Sequence, residues 1–232
     1  MKNKKILVTG SGGFIGSHLA QKLHRDGALV RVADIKWDGY LEDPYYTEKL
    51  TMDLRNYNNC LKVIKDIDYV FHLAADMGGI GYITHVGADV MLNSGLMNIN
   101  MLKAAIENKI ERFFFSSSAC VYPEEKQVTE DVSPLKESDA IPAHPDTFYG
   151  WEKLQMEQMC EAARVDYGLE VRVARFHNIY GPEGTYDGGR EKAPAALCRK
   201  IAKASDPGEI EIWGDGKQTR SFLYISDCLD GI

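Results

Sequence analysis

Thr9-Gly10-Ser11-Gly12-Gly13-Phe14-Ile15-Gly16-Ser17 follows the short apolar run Lys5-Ile6-Leu7-Val8 and opens a helical spacing of apolar residues at Phe14, Ile15, Leu19 and Leu23. That order predicts a strand, a glycine turn and a helix. Glycine at 10, 13 and 16 lets the backbone turn tightly, lets a pyrophosphate approach the main chain and lets the helix lie close on the strand, with the helix N-terminus facing the phosphates. On its own, a glycine triplet also suits an ordinary turn between strand and helix.

One unit further on the choice narrows. Residues 28–33 predict a second strand ending at Asp34. An acid at this interval accepts both hydroxyls of an adenosine ribose and repels a 2′-phosphate, so NAD is expected over NADP, with Lys36 close by tempering the preference. The expected cofactor-binding residues around the turn are Gly10, Gly13, Phe14, Ile15, Gly16 and Asp34. After a polar, aromatic loop over 37–46, residues 49–53 predict a third strand. Asp53 at its edge either bonds an adenine amino group or caps the helix expected over 56–65.

The continuous apolar run 69–75 predicts a parallel strand covered on both faces. His72 within it is expected to be a core histidine. The run ends in Asp76-Met77-Gly78-Gly79-Ile80-Gly81, where Gly78 either lets backbone approach a cofactor or sugar or belongs to a flexible loop. A helical period runs over 86–108, with Asn93, Asn98 and Asn100 read as structural, and a buried strand follows over 112–116. Strand and helix alternate without internal repeat, which gives an α/β fold with a doubly wound parallel sheet.

Composition sets outer limits. The 232 residues suffice for one sizeable domain or slightly more, and 44% hydrophobic with 26% charged residues is ordinary globular composition. A formal charge of −7 excludes a general nucleic-acid surface, because phosphate neutralisation needs clustered cations. Cys60, Cys120, Cys160, Cys198 and Cys228 lack CxxC spacing, so reduced thiols and no metal are expected. With no signal-like leader and no 18-residue apolar run, a cytoplasmic location is expected.

Chemistry gathers after the 112–116 strand, in Ser116-Ser117-Ser118-Ala119-Cys120-Val121-Tyr122-Pro123, at the sheet edge where open α/β sheets bind ligands. Further on, Tyr149-Gly150-Trp151-Glu152-Lys153 starts a helix that puts Tyr149 and Lys153 on one face. An ammonium and a positive nicotinamide ring beside a phenol both favour phenolate, making Tyr149 a base. Lys153 also suits the nicotinamide ribose, and Ser118 suits a hydrogen bond to the reacting oxygen. A Tyr-x-x-x-Lys pair alone is a common helix surface. Together with the serine run and the glycine turn, these residues resemble the extended short-chain dehydrogenase/reductase family of sugar-nucleotide epimerases and dehydratases, from Lys4 to the end.

A narrower resemblance rests on Ala75-Asp76-Met77-Gly78-Gly79, Ser118-Ala119-Cys120-Val121-Tyr122-Pro123, Arg175-Phe176-His177-Asn178-Ile179-Tyr180-Gly181-Pro182, Gly188-Gly189-Arg190-Glu191-Lys192-Ala193-Pro194-Ala195-Ala196 and Trp213-Gly214-Asp215-Gly216. These stretches are similar to the GDP-mannose 3,5-epimerase family. That resemblance implies NAD as cofactor and a nucleotide sugar, GDP-mannose, as substrate. It implies Ser118, Cys120, Tyr149, Lys153 and Lys192 as catalytic residues: Tyr149 takes the 4-hydroxyl proton, Cys120 removes a ring proton and Lys192 delivers one from the other side. It further implies Gly78, Asn178, Glu191, Lys192, Lys200 and Arg220 as substrate-binding residues.

Cys120 taken alone also suits a small buried hydrophobe. A 4-epimerase or 4,6-dehydratase with Cys120 as bystander, and a catalytically silent NAD-binding protein, stand as alternative readings. The resemblance divides the chain into a NAD-binding part, 1–175, and part of a sugar-nucleotide lobe, 176–232. Family members are longer, so a truncated chain is expected. The resemblance also implies a homodimer, paired through the helices that hold Asn100 and Glu157; charge and the lack of a long apolar run lead to no nucleic-acid or membrane partner being expected.

Overall fold

The structure, a computed structural model, describes residues 1–37, 45–76, 78, 80–126, 134–212, 214–217 and 219–232. Expectations for 38–44, Met77, Gly79, Trp213 and Gln218 fall outside the described residues. Six strands, β1 (Lys5–Thr9), β2 (Leu29–Asp34), β3 (Glu48–Thr51), β4 (Tyr69–His72), β5 (Arg112–Ser118) and β6 (Glu170–Phe176), form one sheet. Its order is β3-β2-β1-β4-β5-β6 and every pairing is parallel. The helices are α1 (Phe14–Arg25), α2 (Tyr57–Ile64), α3 (Ile80–His85), α4 (Gly87–Glu107), α5 (Phe148–Tyr167), α6 (Ala193–Lys203) and α7 (Ile225–Gly231). A separate parallel pair joins β7 (Asn178–Tyr180) to β8 (Phe222–Tyr224).

Alternation along the strands sorts the core into two layers. Leu7, Val70, Phe113 and Phe115 join residues of α2, α4 and α5 in one cluster. Ile6, Val8, Phe71 and Phe114 join Leu19, Ala20 and Leu23 of α1 in the other. Each such side chain, fully buried, stabilises the fold by about 1.5–3 kcal/mol before entropy is set against it. Both faces of the sheet are therefore covered, as the doubly wound reading requires.

Strand ends differ from the sequence expectation for local reasons. β4 stops at His72, where the Leu73 amide is shared between Thr9 O and Thr9 Oγ1, at 3.3 and 3.2 Å, and the Ala74 amide turns to Thr9 Oγ1 at 3.3 Å. β5 extends to Ser118 because β6 pairs with it as far as Phe176. Asn56, not Asp53, caps α2, its side chain accepting from the Asn58 amide at 2.9 Å. Asp53 instead accepts from the Arg55 amide and guanidinium, which holds its carboxyl below the usual range.

In the C-terminal stretch, α6 has no buried residue, whereas α7 returns to the main body. Leu229 and Ile232 pack on the α1 layer, and Lys22 pairs with Asp230 at 2.6 Å. Among the described residues no helix is long and apolar enough to cross a membrane.

Candidate active site

The sheet order reverses at β1, with β2 on one side and β4 on the other, so a crevice opens beyond their C-terminal ends. A cleft of about 1180 Å3 fills it. Gly10 takes φ +71°, and a Cβ there would stand 2.7 Å from the Ala74 nitrogen. Equivalent atoms on Gly12 and Gly16 would stand 2.1 Å from Lys36 O and 2.2 Å from Gly10 O. Gly13 is less confined, its nearest neighbour lying 3.3 Å away. Gly12 is thus a cradle residue that the sequence reading did not single out. Its amide donates to Asp34 Oδ2 at 2.9 Å, while the Ile35 amide donates to Oδ1 at 2.7 Å, so backbone fixes the carboxylate at the rim.

Every residue expected to hold the cofactor lines this cleft: Gly10, Gly13, Phe14, Ile15, Gly16, Asp34, Asp53, Tyr149 and Lys153. These residues fit NAD. At the N-terminus of α1 the turn carries glycine at 10, 12, 13 and 16, which brings bare backbone to the cleft, and Asp34 is fixed by backbone amides at its rim, as a pyrophosphate and a ribose require.

Ser118, at the end of β5, caps a short 3-10 turn, Ala119–Val121, and its Oγ accepts from the Cys120 amide at 3.2 Å. The first turns of α5 pack directly on that turn: a Cβ on Gly150 would lie 2.1 Å from Cys120 O. Tyr149 and Lys153 are buried there, side by side on one helix face. Lys153 Nζ donates to Ser116 O at 2.9 Å and stands 5.7 Å from the centre of the Tyr149 ring. Burial pushes the Tyr149 phenol up, Cys120 adds to this, and a Ser118 hydrogen bond opposes it. Within the chain alone, desolvation outweighs the help expected from Lys153, and the phenol is held neutral. Burial lowers the Lys153 ammonium, with Glu152 the largest influence raising it.

Cys120 packs beside Ile83, Val90 and Tyr149. Burial raises its thiol, while Ser118 and Lys192 pull it down. Lys192 precedes α6 and lines the cleft. Burial lowers its ammonium, and the charge of Cys120 opposes that.

The expected substrate residues divide. Gly78 and Lys192 line the cleft. Glu191 accepts from Arg199 Nη2 at 2.9 Å and from the Gly189 amide at 2.7 Å. Asn178 donates to Ser221 O at 3.1 Å, Lys200 to Glu211 O at 2.6 Å and Arg220 to Thr219 O at 2.6 Å, none of them on the cleft wall. Sequence spacing gave no sign of a buried chain behind the site. Thr9 Oγ1 bonds His72 Nδ1 at 2.7 Å, His72 Nε2 bonds Asn98 Oδ1 at 2.8 Å, and Asn98 Nδ2 donates to Glu152.

Comparison with known proteins gives three findings. The profile described as "NAD dependent epimerase/dehydratase family" matches residues 6–232. The chain is 51% identical over 229 residues to "GDP-mannose 3,5-epimerase 1" of Oryza sativa subsp. indica, covering 98% of this chain and 60% of that protein. It is 50% identical over 232 residues to "GDP-mannose 3,5-epimerase" of Arabidopsis thaliana, covering 100% and 61%. The chain therefore spans about 60% of the length of these curated relatives. Among solved structures, a UDP-N-acetylglucosamine 4-epimerase from Methanobrevibacter ruminantium M1 superposes with TM-score 0.86 at 28% identity, over 99% of this chain and 72% of that one.

Proposed function

The chain belongs to the NAD dependent epimerase/dehydratase family, and from that premise we propose that it carries the active site of a GDP-mannose 3,5-epimerase. The observation that carries this reading is the lining of the site: Lys192 stands on the wall of the cleft that holds Tyr149 and Lys153, and Cys120 packs beside Tyr149. A 4-epimerase has no use for such a pair. Inversion at a carbon needs one group to remove a proton and another, on the opposite face, to return one.

NAD, when bound, supplies a reversible hydride acceptor for the sugar C4, and the carbonyl so formed makes the C3 and C5 protons acidic. Tyr149 Oη takes the proton of the 4-hydroxyl, and Ser118 Oγ hydrogen-bonds the same oxygen. Lys153 Nζ, anchored on Ser116 O, favours the phenolate and holds the ribose. Cys120 Sγ is the base at the ring carbon and Lys192 Nζ the acid. Thiol with amine and thiolate with ammonium carry the same number of protons. Burial favours the first pairing and mutual attraction the second.

Substrate contacts from Gly78, Asn178, Glu191, Lys200 and Arg220 belong to the same proposal and rest on the resemblance. So does the division into a NAD-binding part, 1–175, and a sugar-nucleotide part, 176–232, for which the separate β7–β8 sheet is the support. A homodimer pairing through α4 and α5 is supported by Leu92, Leu96 and Ile99, an exposed apolar stripe on α4, with Trp151 exposed on α5. A cytoplasmic setting agrees with five unpaired cysteines. The test is NMR of GDP-mannose incubated with the purified protein in deuterated water. Deuterium is expected at C3 and C5, and its absence from both positions overturns the reading.

A further inference from the structure

We propose that Arg199 is a positioning residue for Lys192: it straps the loop 186–191 to α6 so that the amine is held in the cleft. The inference rests on the function just proposed for Lys192. The loop contains Gly188 and Gly189, both at positive φ, 89° and 81°, with nothing within 4 Å of a Cβ at either. Such a segment has little packing of its own and needs outside contacts to hold one shape.

One guanidinium supplies them at both ends. Arg199 Nε donates to Tyr186 O at 2.7 Å, where the loop begins, and Nη2 donates to Glu191 Oε1 at 2.9 Å, immediately before Lys192. Nη1 lies 3.8 Å from Asp187 Oδ1. The Arg199 and Glu191 side chains are only 22% and 12% exposed, so this is a partly desolvated pair, of greater consequence than a free surface ion pair. Glu191 Oε2 accepts from the Gly189 amide, which passes the restraint to the glycines.

A second contact fixes the far side. The Arg190 guanidinium sits 3.8 Å from the centre of the Tyr82 ring, across the cleft. Tyr82 Oη donates to Asp76 Oδ1 at 2.8 Å and Asn93 Nδ2 donates to Asp76 Oδ2 at 2.9 Å, so this foothold is itself rigid. Gly78 leaves the room: a Cβ there would lie 3.1 Å from Arg190 Cγ. Lys192 thus follows a loop held at its start and end by Arg199, with Arg190, next to the Glu191 anchor, holding its far side. An error of about 1 Å in an acid-base group costs roughly 100-fold in rate.

The experiment compares wild type, Arg199→Ala and Arg199→Lys by amide hydrogen exchange and by deuterium uptake into GDP-mannose. In Arg199→Ala, exchange of amides 188–192 is expected to speed up about tenfold or more while that of β1 and β5 is unchanged. kcat for label uptake is expected to fall roughly 100-fold, with a smaller rise in KM because Glu191 is itself a proposed substrate contact, and bound NAD unchanged. Arg199→Lys, which cannot reach both ends at once, should fall between. Unchanged loop exchange in Arg199→Ala, or a loosened loop with wild-type label uptake, overturns the proposal. Amide exchange needs no substrate, so a wild-type protein that labels neither sugar carbon overturns the proposed function, and loop exchange still decides whether Arg199 is the strap.

Discussion

The imidazole of His72 is fully buried between Phe113 and Phe115, with Thr9 on one nitrogen and Asn98 on the other. Burial lowers its pKa to about 3. Nε2–H donates to Asn98 and Nδ1 accepts from Thr9, an assignment set by the partners. A second proton would leave the Thr9 hydroxyl turned the wrong way and a charge in the core. The unfolded chain binds that proton below about pH 6.5 and the folded one does not, so stability falls as pH drops. This one group is expected to remove up to about 1.4 kcal/mol per pH unit between roughly pH 6.5 and 3. Urea unfolding at stepped pH reads the slope, and imidazole NMR reads the site. A His72 resonance titrating near pH 6.5 in the folded protein would contradict the assignment. Burial likewise dominates Tyr149, Lys153, Cys120 and Lys192, whose ionised forms need a bound ligand or one another.

Among the elements, α4 shows how a period can be legible while its use is not. The apolar spacing over 86–108 matches the observed Gly87–Glu107, and its inner face carries Val90, Met101, Leu102, Ala104 and Ala105 into the protein. Leu92, Leu96 and Ile99 obey the same period yet face outward. Asn100 and Glu157, on the two helices expected to pair, make contacts within the chain. Asn100 donates to the carbonyls of Leu54 and Arg55, and Glu157 accepts from Ser117 and pairs with Arg175 at 2.7 Å. If the stripe joins two copies, Leu96→Glu is expected to shift the protein from dimer to monomer in sedimentation at micromolar concentration, with the monomer still folded. A wild-type monomer, or a dimer indifferent to the substitution, would rule out this face.

For the whole molecule, the parts readable from sequence were those with local signatures. The glycine turn, Asp34 and the alternation of apolar runs each depend on neighbours in the chain, and the sheet, the cradle and the core layers follow from them. Gly12 escaped notice because its constraint comes from Lys36 O, which enters only after β2 returns. Arg199 escaped for the same reason: nothing in its spacing reveals a bond to the carbonyl of Tyr186. Asn178, Lys200 and Arg220 were named by resemblance alone, and each meets a nearby carbonyl away from the cleft wall. Lys192, also named by resemblance, lines the cleft with Tyr149, and Cys120 packs on that tyrosine. The most direct test of their proposed roles is a crystal structure of the protein with NAD and GDP-mannose bound. Sγ of Cys120 and Nζ of Lys192 are expected on opposite faces of the hexose, within reach of C3 and C5; both atoms on one face, or both remote from the ring, would contradict the account.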